Sequence, residues 1–223
     1  MNVCLLLHGL GPIPPHIPAA ETRYWISAEE FSKVVELARH TTARITFDDG
    51  NDTDVSIALP ILQSAGLTAA FFIPTDRIGQ PGYVSEADLR TLQAAGMEIG
   101  SHGCAHIAWT AVSNEAIVED VTRSIARLGS ILGEDIRTVA VPYGACNRRV
   151  IGVLRTLGVR RVYTSFRGPA AEGAWLVRRD CLTSDMSEEA IRDLLTRRYT
   201  AVDAALAFLR TLRRSGRAAL WSA

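Results

Sequence analysis

The sequence predicts an α/β fold in which about seven parallel strands alternate with helices and close into a distorted (β/α) barrel. The first observation is a strand–helix alternation along the whole chain, which is typical of parallel strands covered by helices. The second is that unusual polar residues follow the ends of several different strands. A barrel brings such ends to one mouth, whereas an open sheet spreads them along an edge.

The first half of the chain contains four predicted strands separated by helices. A short apolar run at residues 3–7 fits a strand buried on both faces. Ser27 and Glu30 form the signature of a capping box, and Gly66 and Gly96 mark helix ends. The predicted strands are 3–7, 45–47, 68–73 and 97–100, and the predicted helices begin at Ser27, Asp54 and Ser85.

The second half continues the alternation. A long amphipathic helix is followed by a strand, a short helix, two further strands and two closing helices. These elements are predicted at 114–132, 138–141, 148–157, 159–164, 175–182, 187–197 and 201–214. The loop at residues 9–24 is long, and such loops are often functional. Tyr24 and Trp25 at its end either line a pocket or hold the loop against the core.

Composition restricts the class of protein. The chain has 223 residues, 48% of them hydrophobic, and a formal net charge of +0, so no overall positive charge indicates a nucleic-acid partner. We find no linker, and we expect a single catalytic domain over residues 1–223.

Location is predicted from the termini and the cysteines. The N-terminal apolar run is too short for a signal peptide, and no stretch is long enough to span a bilayer. The four widely spaced cysteines are typical of reduced thiols, so we expect a cytoplasmic protein.

Thr46-Phe47-Asp48-Asp49-Gly50 is the first candidate functional motif. Two adjacent carboxylates would repel each other in a dry site unless a cation or a shared proton lies between them. A bend after the strand could direct both Asp48 and Asp49 into one cleft. One carboxylate could then bind a metal while the other accepts a proton. The same residues are also typical of an ordinary turn.

His102 and His106 form the second candidate motif. Four residues apart on a helical turn, they would share a face, an arrangement that suits a divalent metal. Two imidazoles and one carboxylate would leave a fourth zinc position open, as in catalytic zinc sites. Cys104 lies between the histidines, and we interpret it as a small buried residue.

Together these motifs resemble those of the polysaccharide deacetylase family, the NodB-homology domain of carbohydrate esterase family 4. The resemblance is carried by Thr46–Gly50, Ser101-His102 through His106, and Val141-Pro142-Tyr143-Gly144, which occur in the family's order. It implies a NodB-like distorted barrel with one divalent metal that removes acetyl groups from N-acetylated sugars.

The resemblance also implies roles for individual residues. Asp48 would be the general base, and Asp49, His102 and His106 would bind the metal. Zinc is the expected metal, with cobalt and nickel as alternatives. Tyr143 would offer its backbone N–H to the oxyanion, and Pro142 would fix the backbone there.

The chain departs from the family pattern in two places. The family's arginine that contacts the base is replaced by Ala140. We expect Arg178, at a later strand end, to orient the base instead, with its neighbour Arg179 as the competing residue. A simple surface salt bridge is the alternative for Arg178.

The second departure concerns the general acid. The family's late Leu-x-His motif is absent, because no histidine follows His106. Leu6-Leu7-His8 has the same appearance at the start of the chain, and the first and last strands of a closed barrel are neighbours. We therefore predict that His8 protonates the leaving amine in a permuted arrangement. The alternative is a histidine that satisfies hydrogen bonds of the loop.

The sequence thus predicts a metal-dependent hydrolase that removes N-acetyl groups from an N-acetylhexosamine-containing saccharide or sugar conjugate. The alternatives are a hydrolase of a non-sugar amide and a non-catalytic scaffold that carries a metal. The oligomeric state is not predicted. The arginine-rich tail is typical of a solvated helix face, and peripheral contact with an anionic membrane surface is the second interpretation. Its arginines are Arg197, Arg198, Arg210, Arg213, Arg214 and Arg217.

Overall fold

The computed structural model of the chain describes residues 2–197, 199–200 and 203. The strands are β1 Cys4–Leu7, β2 Arg44–Asp48, β3 Ala69–Ile73, β4 Glu98–Ser101, β5 Thr138–Ala140, β6 Arg161–Thr164, β7 Leu176–Arg178 and β8 Asp180–Cys181. The helices are α1 Ala28–Ala38, α2 Leu59–Ser64, α3 Glu86–Ala94, α4 Asn114–Leu132, α5 Arg148–Thr156 and α6 Glu188–Thr196. The predicted helix at 201–214, apart from residue 203, and the tail arginines from Arg198 onward lie outside the described residues.

All eight strands pair in parallel, in the order β7-β6-β5-β4-β3-β2-β1-β8. The strand predicted at 175–182 consists of two short strands on either side of Arg179. Its first part, β7, pairs with β6, and its second part, β8, pairs with β1. One stretch of chain therefore bridges both edges of the sheet and nearly closes it, which confirms the predicted barrel.

The strands present one face to the helices and the other to the barrel interior. Phe47 and Phe71 point toward the helices, where their rings stack at 4.9 Å and join the main hydrophobic core. Phe72, Ala140 and Tyr163 belong to a separate small cluster. Because successive side chains of a strand alternate between faces, this second cluster lines the barrel interior.

Helix starts follow the predicted capping signals. Ser27 with Glu30, and Ser85 with Asp88, form complete capping boxes at the starts of α1 and α3. One helix start is irregular, that of the predicted helix at 54–65. It begins with a π-helical turn, Asp54–Ala58, ahead of α2. Pro60 has no N–H to donate to the fourth preceding carbonyl, which favours an irregular turn here.

Among the described residues, no helix combines the length and the apolar character that a membrane crossing requires.

Candidate active site

The Asp-Asp-Gly motif lies where β2 leaves the barrel. Asp48 is the last residue of β2, and Asp49 has a φ of 79°, in the left-handed region that L-residues rarely adopt. This sharp change of direction separates the two side chains. Asp48 is 3% exposed, whereas the Asp49 side chain is 17% exposed. The predicted bend is therefore present, and it lies at Asp49.

Asp48 forms a bidentate ion pair with Arg179. Nη1 and Nη2 of Arg179 donate to Oδ1 and Oδ2 of Asp48, each at 2.7 Å, and the Arg179 side chain is fully buried. Burial alone would raise the pKa of Asp48, but the Arg179 guanidinium and His102 hold that pKa below its usual value. Asp48 is therefore an anion at neutral pH.

The arginine beside Asp48 is one residue later than the predicted Arg178. Val177 belongs to the interior cluster, and alternation along the strand directs the side chain two residues later to the same side. The guanidinium of Arg179 lies 5.5 Å from the centre of the Phe72 ring and 5.8 Å from that of Tyr163. Arg179 thus occupies the barrel interior, on the same side of the strand as Val177.

Asp49, His102 and His106 converge into a cluster whose candidate ligand atoms all lie within 4.8 Å of one another. Nε2 of His106 is 3.2 Å from Oδ1 of Asp49, and Nε2 of His102 is 3.7 Å from Oδ2 of Asp48. Nδ1 of His102 lies 2.9 Å from the carbonyl oxygen of Ala140. A carbonyl can only accept, so Nδ1 carries a hydrogen, and Nε2 is the ring nitrogen on the side of the cluster.

The shifted pKa values of Asp49 and His106 favour the protonation states that can bind a cation. Burial raises the pKa of Asp49, but His106, His8, His102 and Arg77 outweigh it and lower the pKa to about 2. Burial also lowers the pKa of His106 to about 4, with His102 acting in the same direction and Asp49 opposing it. At neutral pH the carboxylate is therefore charged and the His106 imidazole is neutral, which are the forms that ligate metals.

The segment with both histidines is a loop and not the helical turn considered from the sequence. Gly103 has a φ of 75° and His106 a φ of 52°. A side chain at Gly103 would place its Cβ 2.2 Å from Oδ2 of Asp120, so the loop requires glycine there. Cys104 is buried, as predicted, and its Sγ lies 3.3 Å from Oγ1 of Thr75.

Asp120 on α4 stabilises this loop through hydrogen bonds, and it was not predicted as a site residue. Its Oδ1 accepts hydrogen bonds from the backbone N–H groups of Cys104 and Ala105, at 3.0 and 3.2 Å. Its Oδ2 accepts from Nε1 of Trp109 at 2.9 Å. A polar residue within the apolar face of an amphipathic helix was the available sequence signal.

Backbone strain is concentrated in the site. Among the described residues, only three other than glycine have a positive φ: Asp49, His106 and Tyr143, the last at 57°. Each lies on a different loop of the same mouth, and the ring centres of Tyr143 and His106 are 4.5 Å apart. Strained backbone of this kind accumulates at active sites and ligand clamps. Pro142, which is buried, precedes Tyr143 in a 3₁₀ turn.

His8 follows β1 and enters the same mouth. Its ring centre is 5.0 Å from that of Tyr24, and its Nδ1 is 4.0 Å from Sγ of Cys181. Burial lowers its pKa, whereas Asp49 and Asp48 oppose that effect, which places both carboxylates within electrostatic reach. The neighbouring Trp25 is 5% exposed and holds the loop against the core.

Two further ionisable residues interact with the aspartates and were not predicted. Arg77 donates from Nη1 to Oδ1 of Asp49 at 3.1 Å. Asp54, in the π-helical turn, is fully buried, and neither of its carboxylate oxygens has a hydrogen-bond partner among the described residues. Burial, followed by Asp49 and Asp48, raises the pKa of Asp54 well above its usual value.

Structural comparison places this fold among known deacetylases. The Streptococcus pyogenes deacetylase PplD, solved in complex with acetate, superposes with a TM-score of 0.78 at 16% identity, covering 88% of this chain and 98% of that one. IcaB from Ammonifex degensii gives a TM-score of 0.73 at 22% identity with the same coverages. At these identities the likeness demonstrates the fold.

Sequence comparison gives the family. A chitin deacetylase of Pestalotiopsis sp is 31% identical over 117 residues, which are 52% of this chain and 39% of that protein. The poly-beta-1,6-N-acetyl-D-glucosamine N-deacetylase of Staphylococcus aureus is 25% identical over 130 residues, covering 52% of this chain and 45% of that protein. The chain thus spans about half or less of the length of these relatives. The family model for polysaccharide deacetylases matches residues 38–162, more than half of the chain, and the chain belongs to the polysaccharide deacetylase family.

Proposed function

We propose that this chain is a metal-dependent de-N-acetylase that hydrolyses the acetamido group of an N-acetylhexosamine-containing saccharide or sugar conjugate. One observation carries the proposal. Three ligand-type side chains converge within 4.8 Å, and a separate carboxylate, Asp48, lies beside them in its own buried ion pair. The relatives' names, chitin deacetylase and poly-beta-1,6-N-acetyl-D-glucosamine N-deacetylase, support the substrate class.

Asp49, His102 and His106 would hold one divalent ion, for which we propose zinc. Two imidazoles and one carboxylate fit the donor set of a catalytic zinc site. The hydrogen bond from His102 Nδ1 to the Ala140 carbonyl fixes the tautomer that such a ligand needs. A zinc ion bound there would polarise the acetyl carbonyl and lower the pKa of a bound water.

Asp48 would act as the general base. Its carboxylate is deprotonated at neutral pH, and Arg179 fixes both of its oxygens, so its orientation is set before substrate binds. It lies 3.7 Å from the nearer nitrogen of His102, next to the proposed ligands but outside their cluster. From there Asp48 accepts a proton from the attacking water.

His8 would act as the general acid, because it enters the mouth from β1 within reach of both aspartates. Its lowered pKa means that the imidazole is neutral at rest. In the proposed reaction the proton that Asp48 takes from the attacking water would have to pass to His8, which would then donate it to the nitrogen of the leaving amine as the C–N bond breaks. Two chain elements hold the ring, since Tyr24 packs against it and Cys181 lies at its Nδ1.

Tyr143 would stabilise the oxyanion through its backbone N–H. Its left-handed conformation follows Pro142, whose fixed φ limits how far this peptide can turn. A donor held in advance at the position where charge develops is the usual source of oxyanion stabilisation. The exposed Tyr143 ring, 61% accessible, packs on His106 and covers one side of the site.

The experiment measures bound metal and acetate release together. Wild type, Asp49→Ala and the control Asp52→Ala, an exposed neighbour, are reconstituted with zinc and incubated with N-acetylglucosamine oligomers. We expect about one zinc per chain and acetate release for wild type and the control, and neither for Asp49→Ala. Zinc binding without acetate from any oligomer would favour a non-sugar amide or a scaffold. Failure of wild type to bind zinc would overturn the proposal.

The role of His8 is tested separately. His8→Ala should retain zinc and lower the turnover number about 10²-fold or more, the usual contribution of general acid–base catalysis. His40→Ala is the control, because His40 is exposed and pairs with Glu36 on α1. Loss of zinc from His8→Ala would instead assign His8 to the ligand set.

A further inference from the structure

Arg77 is a charged residue at the edge of the site. The proposed mechanism assigns no role to it. It ends a single 3₁₀ turn, Thr75–Arg77, that follows β3. Its guanidinium bonds Oδ1 of Asp49 at 3.1 Å and lies 5.0 Å from the centre of the Tyr83 ring. The side chain is 28% exposed, so Arg77 contacts a proposed metal ligand and is also accessible to solvent.

The backbone that carries Arg77 is fixed relative to the histidine loop. The backbone N–H of Thr75 donates to the carbonyl of Gly103, and that of Asp76 donates to the carbonyl of Cys104, both at 3.0 Å. Thr75 itself is fully buried. The guanidinium can therefore move only as far as its own side chain allows, and it stays beside the site.

A metal held by the proposed ligands would compete with Arg77 for Asp49. Oδ1 of Asp49 is the same atom that lies 3.2 Å from Nε2 of His106 and 3.1 Å from Nη1 of Arg77. A divalent ion drawing on this carboxylate weakens the bond to Arg77 and repels its charge. Since arginine stays protonated in proteins, a partly buried guanidinium is then left in need of another anion.

We propose that Arg77 binds an anionic group of the substrate, so that the preferred substrate carries a carboxylate or phosphate close to the acetamido group. This inference rests on the proposed function and specifies its substrate class. The planar guanidinium binds either oxyanion through two parallel hydrogen bonds, and the Tyr83 ring supports its position. Glu21, an exposed carboxylate within electrostatic reach of Arg77, is the competing partner within the chain.

Binding is measured without turnover in the metal-loaded Asp48→Asn variant, with and without Arg77→Gln. The probes are N-acetylglucosamine, its 6-phosphate and the corresponding uronate, titrated by calorimetry. We expect one or both anionic probes to bind about tenfold or more tightly than the neutral sugar, and Arg77→Gln to remove that advantage. The phosphate and uronate arms distinguish the two kinds of anion.

Three outcomes would overturn the inference. Equal binding of neutral and anionic probes is the first. The second is an anionic advantage that persists in Arg77→Gln, since the anion would then contact the metal alone. The third is tighter binding of the anionic probes that is seen only after Glu21→Gln is introduced. In that case Glu21 would be the anion that Arg77 binds in the wild-type chain. Arg90→Gln, an exposed residue paired with Glu86 on α3, is the matched control and should leave all affinities unchanged.

Turnover separates this inference from the proposed function. For wild type, kcat/KM should be about tenfold or more higher for the preferred anionic probe than for N-acetylglucosamine, and Arg77→Gln should abolish the ratio. Arg77→Lys should restore part of it, because the charge returns without the planar fork. Acetate release without any preference would remove the inference and leave the function. Arg77-dependent anion binding without acetate release from any probe would support the anion site and count against the proposed function.

Discussion

Asp48 and Asp49 are adjacent in sequence but are held in opposite ways. Asp48 ends a strand in extended conformation, is buried, and has both oxygens bonded to one arginine inside the barrel. Asp49 has a left-handed backbone, is partly exposed, and shares one oxygen between His106 and Arg77. The barrel interior fixes the position of the Asp48 carboxylate, whereas strained loops fix that of the Asp49 carboxylate.

The difference fits the two roles proposed above, a general base at Asp48 and a metal ligand at Asp49. A base needs a fixed orientation, which the interior ion pair provides. A metal ligand needs an accessible lone pair, and the loops provide it at the cost of backbone strain at Asp49, His106 and Tyr143. We expect changes on the Asp48 side to affect folding strongly, and changes on the Asp49 side to affect pH dependence and metal affinity.

Arg179→Met should have the largest effect. It leaves Asp48 as a buried charge without its partner, and breaking such a pair costs about 3–5 kcal/mol. We expect this loss in the free energy of unfolding measured with urea. The pKa of Asp48 should also rise, because burial raises it once Arg179 no longer compensates. The acid limb of the activity profile should therefore move to higher pH.

Two variants make this test specific. Arg178→Met, at a half-buried neighbour, should cost less than about 1 kcal/mol. The double variant Asp48→Leu with Arg179→Met removes both charges and should regain most of the lost stability. If Arg178→Met were the more damaging variant, the assignment of the interior arginine would be incorrect.

His106 should produce the next largest effect, on the pH dependence of stability. Unfolded histidine binds a proton near its ordinary pKa of 6.5, whereas folded His106 does so only at about 4. Acidification between these values therefore favours the unfolded state. At about 1.36 kcal/mol per pKa unit, His106 alone should lower the free energy of unfolding of metal-free wild type by about 3 kcal/mol across that window.

The comparison is with His106→Gln, which does not titrate. Its free energy of unfolding should fall less steeply between pH 6.5 and 4, and the remaining slope there includes His8, whose pKa is also lowered. Asp49 contributes stability that is lost only below pH 3.8, as the pH approaches its folded pKa of about 2. Parallel slopes for wild type and the variant would contradict this account.

Asp120→Asn should have a moderate effect, confined to metal affinity. The carboxylate accepts three hydrogen bonds around the histidine loop, and an amide nitrogen cannot replace an accepting oxygen. Groups that orient metal ligands usually contribute about 10–100-fold in affinity. We expect zinc affinity, measured by competition with a chelator, to fall within that range. Glu119→Gln, at an exposed neighbour on α4, should leave it unchanged.

Sequence reasoning reached the fold and the grouping of the polar residues because both depend on periodicity. Strand ends of a parallel barrel meet at one mouth, so placing Asp48, His102 and Tyr143 after strands also places them together. Arg178 was preferred to its named competitor Arg179 because the choice depends on which face of a short strand points inward. Arg77 and Asp120 were missed because they act through contacts between elements distant in the sequence, which local patterns do not reveal.

Asp54 extends the comparison to a third carboxylate, one without a hydrogen-bond partner among the described residues. Because its folded pKa lies well above 3.8, the unfolded chain releases a proton that the folded chain retains. Stability is therefore lost as pH rises from 3.8 toward that folded pKa. Asp54→Asn does not titrate, so it should be more stable than wild type by about 1 kcal/mol or more at pH 8, with a smaller gain at pH 5.

Urea unfolding of wild type, Asp54→Asn and Asp52→Asn at both pH values checks this expectation. Asp52 is exposed, and its variant should stay within about 0.5 kcal/mol of wild type. An equal loss of stability for Asp54→Asn at both pH values would mean that the carboxylate is bonded, for example to ordered water. In that case Asp48, Asp49 and Asp54 would all be hydrogen-bonded, and Asp54 would stabilise the structure around the site.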